Sequence, residues 1–403
     1  TITTDAGSFA SGQPGVKVDG GNNVVVTNNT ISSLDGAGIV VQNTWNDVES
    51  YDNTFTGNTI TGAKFAGIAI WGGAYDNTFE CNTITGTTEL TFWAGQPWEE
   101  TQADGVFLDD DAGTGNVFNY NNIYGNDGDG MENQVATTVD AEYNWWGDVS
   151  GPGGVGPGSG DEVSTNVDYD PWLVIANYTG GTLFSVVEDV MLEATFSDSN
   201  DDALPCGNVD FYVDGNLEGS ATTNASGVAS LNIGPLPVGV HDEVYAKTCC
   251  LQTNTVMLVI YDPSAGFVTG GGWIYSEPGA DTDNPLAEGK ANFGFVSKYN
   301  KKGATAPDGQ TEFQFKAGDL NFHSTEYQWL VVTGSNFAKF KGVGAIDGEG
   351  DYKFQIWAGD NDPDTFRIKI WTEDSGGNEN VRYDNGSDQA IDGGNIVVHT
   401  SKK

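Results

Sequence analysis

The sequence predicts an all-β protein. A parallel β-helix is expected over residues 1–175, a β-sandwich over 178–262 and a third, sandwich-like β unit over 266–403. Three observations carry this. A short phrase recurs through the first 175 residues, Gly (56 residues) accompanies abundant Asn and Thr, and the pattern changes after Trp172 to longer alternating strands. Asn, Gly and Thr favour turns and strands, and no 3.6-residue periodicity survives the glycines.

The repeat is clearest where Asn58-Thr59-Ile60 returns as Asn82-Thr83-Ile84 with Gly67-Ile68-Ala69-Ile70 between. Aligned on the glycine, Gly15-Val16-Lys17-Val18, Gly38-Ile39-Val40-Val41, Gly67-Ile68, Gly105-Val106-Phe107-Leu108 and Gly130-Met131 form a ladder. Between them fall two Asn-led strands per repeat, begun by Asn23/Asn29, Asn53/Asn58, Asn77/Asn82 and Asn116/Asn122. Three short strands per repeat describe a coil that winds once per repeat and stacks on its neighbours. Val, Ile and Phe alternate inward, Thr and Lys outward. Asn and Gly suit the corners because both tolerate left-handed backbone, and stacked Asn side chains can bond as a ladder.

These repeats resemble the right-handed parallel β-helix superfamily that includes pectate lyases and NosD-like periplasmic proteins. Tyr143-Asn-Trp-Trp-Gly147-Asp-Val-Ser-Gly151-Pro152 and Asn166-Val-Asp-Tyr-Asp-Pro171-Trp172-Leu173 are similar to phrases that close such regions in secreted microbial proteins, and Trp145-Trp146 is the expected lid. The resemblance implies fold more than function, because one fold carries many activities.

In the second unit, strands are expected at Val190–Phe196, Asn208–Gly215, Gly227–Leu231 and Val256–Tyr261, separated by turn clusters at sandwich spacing. Val209-Asp-Phe-Tyr-Val-Asp-Gly215 and Pro237-Val-Gly-Val-His241 resemble bacterial immunoglobulin-like repeats, which implies a spacer. From Gly266 on, Phe267-Val-Thr-Gly-Gly-Gly-Trp-Ile274 and Phe366-Arg-Ile-Lys-Ile-Trp371 resemble a C-terminal module of secreted microbial proteins. Lys298, Lys301, Lys302, Lys339 and Lys341 either form a basic face there or lie scattered in solvent.

The formal net charge is −41, from 57 acidic and 16 basic residues. Phosphate contacts need Lys and Arg, so nucleic acid is excluded as a partner. No apolar run of about 18 residues exists to cross a membrane as a helix. A processed, secreted form on a cell surface is expected. Cys206 is expected to pair with Cys249 or Cys250, and Cys81 with the other; buried thiols are the alternative. Asn28, Asn177, Asn224 and Asn385 head glycosylation triplets.

The β-helix resemblance implies polysaccharide cleavage as the first enzyme class. Its lyases use an Arg or Lys base beside calcium-bridged uronates, yet residues 1–180 contain no Arg, no His, and only Lys17, outward, and Lys64, in a turn. Its hydrolases combine three aspartates with basic partners, and Asp109-Asp110-Asp111 lacks those partners. Carboxylates alone suffice for an inverting glycosidase. Asp104 and Asp129 precede aligned glycines and should stack on adjacent coils, as corner residues, a calcium site or a catalytic pair. Asp360, Asp362 and Asp364 offer further oxygens for calcium, as do Asp347, Glu349 and Asp351; plain acidic turns are the alternative. An insertion at Thr87–Gln102 carries Phe92, Trp93 and Trp98, placed to stack on sugars, to anchor a protein interface or to cover the wall.

The first coil starts without an amphipathic cap, and a bare solenoid end is a template for further strands. Residues 5–14 folding back, a fragment, or a neighbouring copy would each explain it. The expectation is a secreted, non-enzymatic structural or adhesive surface protein that assembles head-to-tail into a filament, with itself and extracellular polysaccharide as partners. A carboxylate glycosidase and a monomeric glycan-binding adhesin are the alternatives.

Overall fold

The computed structural model describes residues 2–3, 13–32, 35–44, 46–92, 100–204, 208–248, 251–300, 304–374 and 378–400. The first unit is a solenoid of three sheets with five, seven and six parallel strands, the middle one joined by an eighth, antiparallel strand. Val16, Ile39, Ile68, Val106 and Met131 fall in one column of the long sheet, as the glycine alignment predicts. Ile31, Ile60, Ile84 and Ile123 form a second inward column. Phe55, Phe79 and Phe118 form a third, their rings stacked at 4.6 and 4.5 Å. That spacing is the distance between neighbouring strands, so each side chain packs on its own counterpart one coil away.

Two corners have a left-handed residue, followed in every coil but the first of one corner by an inward polar residue. Asn23, Asp52 and Asp76 have φ of 55, 51 and 50°, and Asn28, Cys81, Tyr120 and Tyr143 have φ of 55 to 59°. At the second corner Asn29, Asn58, Asn82, Asn121 and Asn144 form an amide ladder. The Asn58 backbone N–H and Nδ2 both donate to Asn82 Oδ1 at 3.0 Å, and Asn82 Nδ2 donates to the Phe55 carbonyl at 2.9 Å. The amides thus satisfy backbone groups at a bend where strand pairing lapses. The ladder corrects the sequence reading in two places. Asn121, not Asn122, takes the inward position, and Asn23 turns the other corner while Val24 donates its N–H to Asn53 Oδ1.

Trp146 is fully buried in the solenoid core, which continues beyond it through Val163 and Val167, while Trp145 packs against the core of the next unit. That next unit starts earlier than expected, because Leu173–Tyr178 already pairs antiparallel with Met191–Asp198. It is a sandwich of a three-stranded and a five-stranded sheet over one core. Three of the four expected strands begin within a residue of their predicted starts and the fourth, Val256–Tyr261, agrees fully.

The last unit is a ten-stranded antiparallel sheet. Gly266–Ser276 through Glu379–Asp384 run largely as a meander, and Gly393–Thr400 returns beside Gly266–Ser276. The sheet rolls over a single core, since Phe293 and Phe366, five strands apart in the sheet, stack at 3.9 Å. Val259 and Tyr261 of the sandwich pack on Trp329 and Val331 of the meander, with Tyr299 against them. The Lys339–Asp242 pair (3.3 Å) lies across the same contact.

Candidate carboxylate site on the long sheet

The outer face of the long sheet brings together two acids whose ionisation burial opposes, Asp104 and Asp129. The Gly105 N–H donates to the Asp129 carbonyl at 2.8 Å, so Asp104 and Asp129 occupy adjacent coils as predicted. The Asp129 N–H also donates to Asp104 Oδ1 at 2.9 Å. Asp104 is only 3% exposed, and its other oxygen, Oδ2, is buried with no N–H or hydroxyl donor on it, the Glu132 carboxyl being the side chain placed to share a proton with Asp104. Gly128 makes this packing possible, because a Cβ there would lie 2.5 Å from Asp104 Oδ1.

Burial disfavours the Asp104 anion most, and the charges of Glu132 and Asp129 add to it, so the carboxyl is pushed up to about 8. Asp129 is raised for the same first reason, with Glu132 and Glu162 contributing. At neutral pH this arrangement holds a proton rather than sheds it. Sequence reading missed Glu132 and Glu162. The available signal was alternation: Glu132 lies between the inward Met131 and the buried Asn133, so it points outward.

Beside these acids lies a patch of buried apolar side chains on the outside of the solenoid, including Val40, Phe65 and Phe107. Phe65 and Phe107 meet edge-to-face at 5.3 Å, and Trp71 lies 5.7 Å from Phe65. Phe65 has φ of 71°, a costly conformation for a bulky residue. The insertion forms an antiparallel arm in which Leu90–Phe92 pairs with Glu100–Gln102, and Leu90 packs on the patch. The base of the arm therefore covers the wall. Trp93, Trp98 and the side chain of Phe92 lie outside the described residues.

The other candidates have structural tasks. Asp360 Oδ2 accepts from the Val398 N–H (2.9 Å) and Asp364 Oδ2 from the Ile396 N–H (2.8 Å), closing the free edge of the last strand, while Asp362 is exposed. Asp111 Oδ1 accepts from the Gly72 N–H at 2.7 Å, and Asp347 turns a corner with φ of 51°. Among the described residues no group of three or more His, Cys, Asp or Glu is arranged to hold a metal ion. Cys81 is disulfide-bonded. Cys206, Cys249 and Cys250 lie outside the described residues, as do Lys301, Lys302 and residues 5–12 of the expected fold-back.

Lys339 and Lys341 do share a face, with Lys353, Arg367 and Lys369, but not as a free basic patch. Trp357 and Trp371 lie between the cations, and Glu373, Asp384, Glu379 and Asp242 pair with four of them.

Residues 14–156 match the family model described as right handed beta helix region. No curated protein sequence matches the chain. Among solved structures, Salmonella alpha-2-macroglobulin reacted with methylamine aligns at 14% identity over 57% of this chain and 22% of that one, with TM-score 0.18. Native E. coli alpha-2-macroglobulin aligns at 12% identity over the same shares, also with TM-score 0.18. The chain spans 22% of the length of those structures, and likeness at that level carries no argument about fold or function.

Proposed function

We propose that the protein is a secreted structural and adhesive surface protein, in which a β-helix displays an interaction arm and an immunoglobulin-like spacer joins it to a C-terminal module. The observation behind this is the arm's foundation. An apolar patch lies outside the solenoid wall, with Phe65 in a strained backbone conformation, and the base of the arm packs on it. Strain of this kind persists where the surroundings over-determine it, and it clusters at binding elements. The sequence between the two strands of the arm includes Trp93 and Trp98, residue types suited to sugar faces or to a protein partner.

A glycosidase reading fits the same face less well. A general acid must lie within hydrogen-bond reach of the glycosidic oxygen, and Asp104 Oδ2 is sealed from solvent. The test is retention of the full chain on a panel of insoluble polysaccharides and cell-wall preparations, alongside assay of reducing-sugar release. Retention lost in Trp93→Ala and Trp98→Ala, without sugar release, is the expected result. Sugar release abolished by Glu132→Gln would overturn the non-enzymatic reading.

Head-to-tail self-association is the companion proposal. It is favoured by Val16–Asp19 and Val25–Thr27, the end strands of two sheets, whose outer edges pair with nothing among the described residues; Val25 there is 68% exposed. Electron microscopy of concentrated native material, with calcium present, should show linear assemblies. Isolated particles alone would reject it.

A further inference from the structure

The outer face of the C-terminal sheet carries a hollow that packing does not explain. Val268, Ile274 and Ser276 of Gly266–Ser276 are buried, so Gly271 and Trp273 face outward. By the same alternation Asn292 and Gly294 of Gly289–Lys298, Glu312 of Asp308–Phe315 and Asn395 of Gly393–Thr400 also face out. The register sets Asn395, Gly271, Gly294 and Glu312 in one row across four strands, with no bulge there. The two central positions of this row have no side chain. Sterics account for the neighbouring glycines: a Cβ on Gly270 would lie 2.4 Å from the Phe295 ring, and one on Gly272 2.2 Å from the Gly393 carbonyl oxygen. Gly271 and Gly294 are not constrained in this way. A Cβ on Gly271 would come no closer than 3.8 Å to another part of the chain, and one on Gly294 would meet nothing within 4 Å. Neither has a positive φ. Glycine inside a strand weakens the sheet, and without a bulge or a packing demand it marks close approach by a ligand.

Trp273 borders this hollow. A Cβ on Gly393 would meet the indole at its nitrogen edge, 2.6 Å from Nε1 and 3.3 and 3.5 Å from Cδ1 and Cε2, so the ring stands edge-on to that strand. Lys290 lies over one ring face, 4.7 Å from the centroid. Lys290 pairs with Tyr275 and Gly294 with Gly271, so the ammonium and the hollow lie on opposite sides of Trp273 along the strand. The second ring face is thus turned to the hollow. Asn292 stands directly across from Trp273, and Asn395 and Glu312 end the row. We propose that this hollow binds a pyranose unit of a neutral oligosaccharide, its apolar face on Trp273 and its edge over the Gly271–Gly294 backbone. Charge selects the class. Glu312 is the one charged group of the row, with His323 beyond it at 3.7 Å. An ionised carboxylate accepts from sugar hydroxyls and repels a uronate. The site belongs to the C-terminal unit and is independent of the arm.

Calorimetric titration of the full chain with cellohexaose and mannohexaose, and with oligogalacturonate as the acidic control, reads the proposal directly. At least one neutral hexasaccharide should bind saturably. The double variant Gly271→Val, Gly294→Val fills the hollow with side chains that suit strands. It should weaken binding roughly tenfold or more while the urea midpoint stays level or rises, a combination that a purely structural pair of glycines would not give. Trp273→Ala should weaken binding by a similar factor, whereas Trp93→Ala with Trp98→Ala should leave it unchanged. No binding of either neutral hexasaccharide, tighter binding of the acidic control, full affinity in the glycine variant or a lowered midpoint in it would each overturn the proposal.

Discussion

Replacing Asp104 by asparagine exposes the energetic role of the sealed carboxyl. In the folded chain this group titrates near 8, against an ordinary value of 3.8, because burial and the charges of Glu132 and Asp129 oppose its ionisation. A raised folded value means that the native state binds the proton more tightly than the unfolded chain. Its stabilising contribution is complete below about pH 4 and is lost progressively as pH rises through 8. The gap between the two values corresponds to a ceiling of roughly 6 kcal/mol, part of which neighbouring acids share. Asparagine keeps an oxygen for the Asp129 N–H and never ionises. The variant should therefore match the native chain within about 1 kcal/mol at pH 4 and exceed it by several kcal/mol at pH 9. Urea unfolding of both proteins at pH 4, 7 and 9, followed by tryptophan fluorescence, makes the comparison. Parallel pH profiles would refute the reasoning. Calcium is the rival account of two close carboxylates. A calcium-dependent rise in the native midpoint at pH 9, absent in Asp104→Asn, would replace the shared proton with a bound ion.

Further outcomes follow from the packing. Asn82→Ala removes one rung of the buried amide ladder and leaves the Asn58 N–H and the Phe55 carbonyl without that partner. At about 1–3 kcal/mol per orphaned buried group, the urea midpoint of the solenoid should fall clearly, and an unchanged midpoint would argue against the ladder. Trp146→Ala leaves a cavity in the solenoid core and should cost about 3–5 kcal/mol, visible as a lower melting temperature. Asp360→Ala with Asp364→Ala frees the Val398 and Ile396 N–H groups. Hydrogen exchange should accelerate at those two amides first, with little change in the solenoid.

Much of the solenoid was legible because its information is local and repeated. The glycine alignment put Val16, Ile39, Ile68, Val106 and Met131 in one column, and the strand register places them there. The same alignment placed Asp104 beside Asp129. It failed at Asn121 and Asn23, because inward and corner positions differ by one residue and both accept asparagine. The last unit was readable as strands but not as one rolled sheet, since strand composition does not say where a meander closes. Asp360 and Asp364 offer oxygens for a cation by spacing, and the structure adds a task that spacing does not show: each accepts from a backbone N–H of a strand more than thirty residues later.

By itself, the sequence determined the all-β class, the coil repeat, the order of three units and the acidic surface, because each depends on residue type and spacing along the chain. Only the tertiary structure decided that Asp104 is sealed and its pKa raised by that burial, and that Phe65 and Phe107 form an apolar patch outside the wall. Those properties depend on which surfaces distant segments present to each other, and desolvation, unlike periodicity, has no local signature.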